Sequence, residues 1–282
     1  MRFLLYFLMA GCLISLPATA AKAHILDLNK GDYISFEDMM TDLASVRIIF
    51  IGELHDSDAH HRAQLQVIHQ LKEMGVDVAV GLEMFQASDQ WALDLWSEGE
   101  LAVDQFLPIY NQNWSMWPVY SSIFRYARDN EIPMIGLNLD REVTRMIASN
   151  GFASLPPSVA EGLPPIRCDI SGEYQEYLRK ALGGHGDNGQ MFMHFCEAQV
   201  AWDTFMAWNL NNYLQANPGK VIVTLAGSGH SWRFGIPEQI ERSSKLSHRI
   251  LLPEMPGRME LGRASSKDGD YLLLGTEAGP MH

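Results

Sequence analysis

Five short apolar runs rich in β-branched residues recur along the chain, at 46–51, 78–82, 133–137, 221–225 and 248–252. The early runs are separated by segments with helical spacing, such as Leu65, Ile68 and Leu71. A run apolar on both of its alternating faces must be covered on both, and strands joined through helices lie parallel. The pattern therefore predicts an α/β fold, a mostly parallel sheet flanked by helices, with 271–274 as an edge strand.

Helix punctuation agrees with this. Asp56, Ser57 or Asp58 is placed to cap a helix carrying His60 and His61, and Asp140 one that runs to Asn150 and stops at Gly151. A third helix is expected from Trp117-Pro118 to just before Ile132-Pro133, and the longest over about 191–215, ending before Pro218-Gly219. The pattern breaks down over about 152–190, where proline pairs and Gly183-Gly184-His185-Gly186 surround one short helix near Glu173. An irregular stretch of that length inside a compact domain is more often functional than merely connecting. With 282 residues and no internal repeat, residues 21–282 are read as one α/β domain bearing that mainly helical insertion.

Residues 1–20 have the layout of a secretory signal: Arg2, an apolar stretch from Phe3 to Leu16, then Pro17 and Ala18-Thr19-Ala20 before the expected cut. Met9-Ala10-Gly11-Cys12 offers a lipoprotein alternative, with the lipid on Cys12. Both readings export the protein, to the periplasm or the outer membrane. The net charge of −13 repels phosphate backbones, so nucleic acid is not an expected partner. Cys168 and Cys196 would remain after cleavage, free to pair or to stay as buried thiols.

The chemistry gathers at the ends of the strands. The first run ends in Gly52-Glu53-Leu54-His55, the second in Gly81-Leu82-Glu83, the third in Gly136-Leu137-Asn138, and the fourth in Ala226-Gly227-Ser228-Gly229-His230. Parallel strands present these ends along one edge, where such sheets hold their ligand crevice. Glu83, set in an otherwise apolar stretch, is costly to bury unless partnered. Glu53, His55, Glu83 and His230 therefore form either a set of metal ligands or an acid–base group. On the long helix, Asp203 lies on an apolar stripe with Cys196, Gln199, Met206 and Leu210. It would bond to nearby backbone or Arg141, or else orient a histidine.

Taken in order, these residues resemble the ChaN-type haem-binding uptake family of bacteria, within the superfamily of erythromycin esterases and Tiki proteases. The resemblance rests on Gly52-Glu53-Leu54-His55, His60-His61-Arg62, Leu82-Glu83-Met84-Phe85, the Trp114 to Tyr120 stretch, Asn138 with Arg141, Trp202-Asp203, and Ala226-Gly227-Ser228-Gly229-His230. It implies haem as cofactor, a homodimer formed on haem binding, a tyrosine as iron ligand, propionates held by basic or imidazole groups, and delivery of haem or iron to an uptake system such as an outer-membrane receptor. Tyr174 and Tyr177 in the insert are the candidate iron ligands, and His185 and Lys180 the candidate propionate contacts. An esterase- or protease-like hydrolase built on Glu53, His55, Glu83 and His230, with or without a divalent metal, is the alternative. A further one is an envelope interaction module on an enzyme-derived fold.

Overall fold

The computed structural model describes residues 25–164, 166, 168–182, 189–255 and 257–275. The expected signal at 1–20 and the candidate His185 lie outside the described residues. Eight strands form one sheet: β1 (Ile25–Asp27), β2 (Asp32–Ile34), β3 (Ile48–Glu53), β4 (Val78–Gln86), β5 (Met134–Asn138), β6 (Val221–Gly227), β7 (His248–Pro253) and β8 (Tyr271–Leu273). Their order is β2-β1-β8-β7-β3-β6-β4-β5, and every pairing from β8 to β5 is parallel.

The side-chain alternation of the strands sorts the core into two layers. Ile49, Ile51, Val80, Leu82, Val223 and Leu225 face one layer, with the helices Asp58–Glu73 and Trp117–Asp129. Ile48, Phe50, Ala79, Ile222 and Ile250 face the other, against Met206, Leu210 and Leu214 of the long helix Gly189–Ala216 and Ile240 of the helix Ile236–Ser243. Covering both faces accounts for the continuous apolar runs, because no strand in the middle of the sheet has a wet side.

Two expectations need adjusting. The segment 271–274 is an inner strand: β8 lies between β7 and β1, and the β1–β2 hairpin occupies the sheet edge beyond it. Strands of three residues carry too little periodicity to be read from sequence. The second run also continues past Leu82 to Gln86, with a register shift against β5, so Glu83 lies within a strand.

The insertion contains the helix Gly172–Ala181, capped by Ser171, whose hydroxyl accepts the Tyr174 N–H. A disulfide between Cys168 and Cys196, with Cα atoms 5.9 Å apart, ties it to the long helix. Tyr174, Leu178, Phe192, Cys196 and Val200 form a small core of their own beneath it. Among the described residues no helix is long and apolar enough to cross a membrane.

Candidate functional site

Three of the four segments converge, those of β3, β4 and β6, while Asn138 at the end of β5 donates to the Glu83 carbonyl instead of lining the cavity. Glu53, His55, Glu83 and His230 line one cavity of 640 Å³, together with Trp114, Met116, Trp202, Tyr177 and Arg258. Its floor is polar because it consists of strand termini, and its walls are aromatic.

On one side, Glu53 at the end of β3 is fully buried and saturated with partners. Its Oε1 accepts from the Tyr120 hydroxyl and from His55 Nδ1 at 2.7 Å, and its Oε2 accepts from Gln64 Nε2 at 2.6 Å. His61 Nε2 stands 3.3 Å from Oε2, but without hydrogen-bond geometry, so this buried ring is held mainly by packing on Tyr120. Burial alone would push the Glu53 carboxyl up; its contacts with His55 and His61 outweigh that and hold it at about 2. Burial likewise opposes charge on His55, and the Glu53 hydrogen bond and the charge of Glu83 overcome it, raising the imidazole pKa. Ser57 caps the helix Asp58–Glu73. His60 Nδ1 accepts the Leu54 N–H at 2.9 Å, and burial pushes this ring down to about 4, so it is an uncharged strut at neutral pH.

On the other side, Asp203 from the long helix is fully buried. Its Oδ1 takes His230 Nδ1 at 2.7 Å and its Oδ2 takes the Tyr174 hydroxyl at 2.7 Å. Of the readings open for Asp203, the structure carries the histidine-orienting one; Arg141 instead donates to the Asn113 carbonyl. His230 Nε2 lies 3.7 Å from Glu83 Oε1, while Glu83 Oε2 accepts the Gly227 N–H at 2.6 Å. Burial disfavours the imidazolium, but Glu83 and Asp203 together push His230 up to about 9. Asp203 is also raised, by burial. The two shifts have one sense: two buried carboxylates beside one imidazole make release of a proton costly.

In both pairs Nδ1 is tied to a carboxylate, which fixes the ring and leaves Nε2 toward the cavity. Gly227 leaves room for the His55 ring, since a Cβ there would stand 3.0 Å from His55 Nε2 and press on it. The arrangement suits orientation of a ligand or proton transfer. It does not gather the four groups as expected for a metal: among the described residues no group of three or more His, Cys, Asp or Glu is placed to hold one. The physical reason is that Glu53 spends both oxygens on Tyr120, His55 and Gln64, and each imidazole spends Nδ1 on its carboxylate.

The insert candidates separate. Tyr174 is 1% exposed and committed to Asp203. Tyr177 borders the cavity, packed on Trp232 with its hydroxyl against Gly229, where any Cβ would collide with it. Lys180 points to the surface and pairs with Glu176 at 2.8 Å. Gln64 and Arg258 were not legible as site residues: a glutamine among His60, His61 and Arg62 reads as part of a solvated helix face, and Arg258 lies in a loop without periodic pattern.

A family model described as haem-binding uptake, Tiki superfamily, ChaN, matches residues 39–240. Among solved structures the fold is similar to that of ChaN of Campylobacter jejuni, described in cofacial haem binding. The TM-score is 0.72 at 23% identity, covering 90% of this chain and 97% of that one. A mutant of the erythromycin esterase EreC in its open conformation aligns with a TM-score of 0.49 at 15% identity, covering 84% of this chain and 80% of that one. The type III effector HopBA1 aligns with a TM-score of 0.47 at 16% identity, covering 84% and 91%. No curated protein matches the chain.

Proposed function

The chain belongs to the haem-binding uptake family of the Tiki superfamily, ChaN type, and from that premise we propose that it is an exported haem-binding protein of the bacterial envelope that serves haem or iron uptake. The observation that carries the reading is the cavity at the strand ends. Its 640 Å³ suits a ligand of this size, its walls include Trp114 and Trp202, and it is bordered by the phenol of Tyr177. When bound, haem would supply an iron that tyrosine oxygen is able to ligate.

The residues present fit such a group. Tyr177 is favoured over Tyr174 as the ligand, because the Tyr174 hydroxyl is consumed by Asp203. Burial raises the Tyr177 phenol pKa, and the nearby Arg258 guanidinium works against that rise. His55 and His230 are both raised by the carboxylates beside them, and each keeps Nε2 toward the cavity as a hydrogen-bond donor for an anionic group when the ring is protonated. In this reading the signal at 1–20 directs export, two copies pair around haem, and an outer-membrane receptor is the exchange partner.

Addition of equimolar ferric haem to the purified mature chain should give a Soret band, altered in Tyr177→Phe and unchanged in position in Lys180→Gln, with an increase in molecular size by light scattering. No spectral change on mixing would sink the reading.

The two fixed imidazole–carboxylate pairs favour a second reading, hydrolysis by acid–base chemistry. Here His230, held protonated by Glu83 and Asp203, is the acid that donates at Nε2 to the leaving group, and the uncharged form of His55 takes a proton from water at its Nε2. Turnover of ester substrates, lost in His55→Ala and in His230→Ala but kept in Tyr177→Phe, would favour it over haem carriage.

A further inference from the structure

A second cavity of 370 Å³ adjoins the first. The two share Tyr177, Ser228, Gly229 and Arg258, so together they form one branched cleft with the Tyr177 ring at the fork. The second chamber has a different character. Trp232 and Met259 give it an apolar wall, while Lys180 and Arg258 bring positive charge.

The cations differ in what they are free to do. Lys180 is held by Glu176. Arg258 makes no side-chain hydrogen bond or ion pair with any described residue, although Glu173, Glu176 and Asp268 line the same chamber. Asp268 is already engaged, by Trp232 Nε1 at 3.0 Å and by the Ser265 N–H at 2.8 Å. A guanidinium with no partner among the described residues, at the fork of a cleft, has donors to offer a planar anion.

We propose that the second chamber is a carboxylate pocket, in which Arg258 binds the acidic arm of a flat ligand whose aromatic body occupies the first cavity beside Tyr177. The proposal rests on the haem reading above and adds to it the residue that selects for free carboxylates. Arg258 lies beyond the residues matched by the family model, which end at 240. Charge-assisted, bidentate pairing with a carboxylate is the interaction a guanidinium makes best. Lysine at the same position would restore the charge without the fork.

The test compares ferric haem with ferric haem dimethyl ester, whose carboxylates are neutral, by absorption titration of the mature chain. The unaltered chain should bind haem more tightly than the ester. Arg258→Gln should lose about tenfold in haem affinity and leave ester affinity unchanged. Arg258→Lys should fall between the two, and Lys180→Gln should match the unaltered chain. Equal affinity of Arg258→Gln and the unaltered chain for haem would overturn the carboxylate pocket and leave haem binding standing, and so would an equal loss toward haem and ester. Binding of neither compound by the unaltered chain would overturn both.

Discussion

His55 takes its carboxylate from two residues away, whereas His230 takes its own from a helix 27 residues upstream, yet each imidazole ends with Nδ1 2.7 Å from a carboxylate oxygen. The partners behave differently. Burial works against charge on Glu53, but two imidazoles, His55 and His61, stand beside it and it stays ionised down to about 2. Asp203 has two donors and a second carboxylate, Glu83, acting against its charge, so burial wins and its pKa rises. The difference teaches that, at equal depth, a buried carboxylate is set by the charged and hydrogen-bonding groups beside it, two imidazoles in one case and an imidazole opposed by a carboxylate in the other. One wall of the cavity is thereby an anion anchor and the other a proton store.

Removing the anchor should have the largest effect. Glu53→Ala leaves Tyr120, Gln64 and His55 without their acceptor in the core and should cost about 3–5 kcal/mol by urea denaturation. A loss below about 1 kcal/mol would break the comparison, because the donors would then have found other partners.

The pH dependence of stability separates the two walls next. Glu53 has a depressed pKa, so its contribution is complete above about 4.5 and is lost as pH falls toward about 2. His230 has a raised pKa, so its contribution is complete below about 6.5 and is lost as pH rises through about 9. Each limb is worth roughly 3 kcal/mol. Denaturation midpoints against pH should show both limbs, with the alkaline one reduced in His230→Ala to the part that the raised His55 contributes and the acid one kept.

The Cys168–Cys196 bridge closes a loop with a sequence separation of 28. The double serine variant should lose about 2–4 kcal/mol in calorimetry. Asp203→Asn keeps an acceptor for Tyr174 while removing the charge that holds His230, and should cost about 2 kcal/mol, together with a downward shift of the His230 pKa by NMR. An unshifted imidazole would assign its charge to Glu83 alone. The smallest change is expected for Tyr177→Phe, within about 0.5 kcal/mol, since the Tyr177 hydroxyl makes no hydrogen bond with another described residue; its effect belongs to the haem spectrum.

The comparison also marks how far the sequence could be read. Glu53 and His55 are visible because a strand end displays both within three residues, and Glu83 because charge inside an apolar run is conspicuous. Asp203 is visible only as an interruption of a helical stripe, which signals a partner without naming it. Tyr120 and Gln64 show no comparable signal, since a tyrosine beside Trp117-Pro118 and a glutamine on a polar helix each fit a surface. The two insert tyrosines, three residues apart, are indistinguishable in sequence; helix rotation buries one against Asp203 and sets the other beside the cavity.

By itself the sequence determined the parallel α/β sheet, the chain order of its middle strands and the side of the sheet where polar groups collect, because period and strand polarity are local properties that repeat along the chain. Only the tertiary structure decided which carboxylate meets which imidazole, the inner place of β8, the Cys168–Cys196 bridge and the exposure of Arg258. Those depend on distances between segments far apart in the chain, and such distances are fixed by packing as a whole.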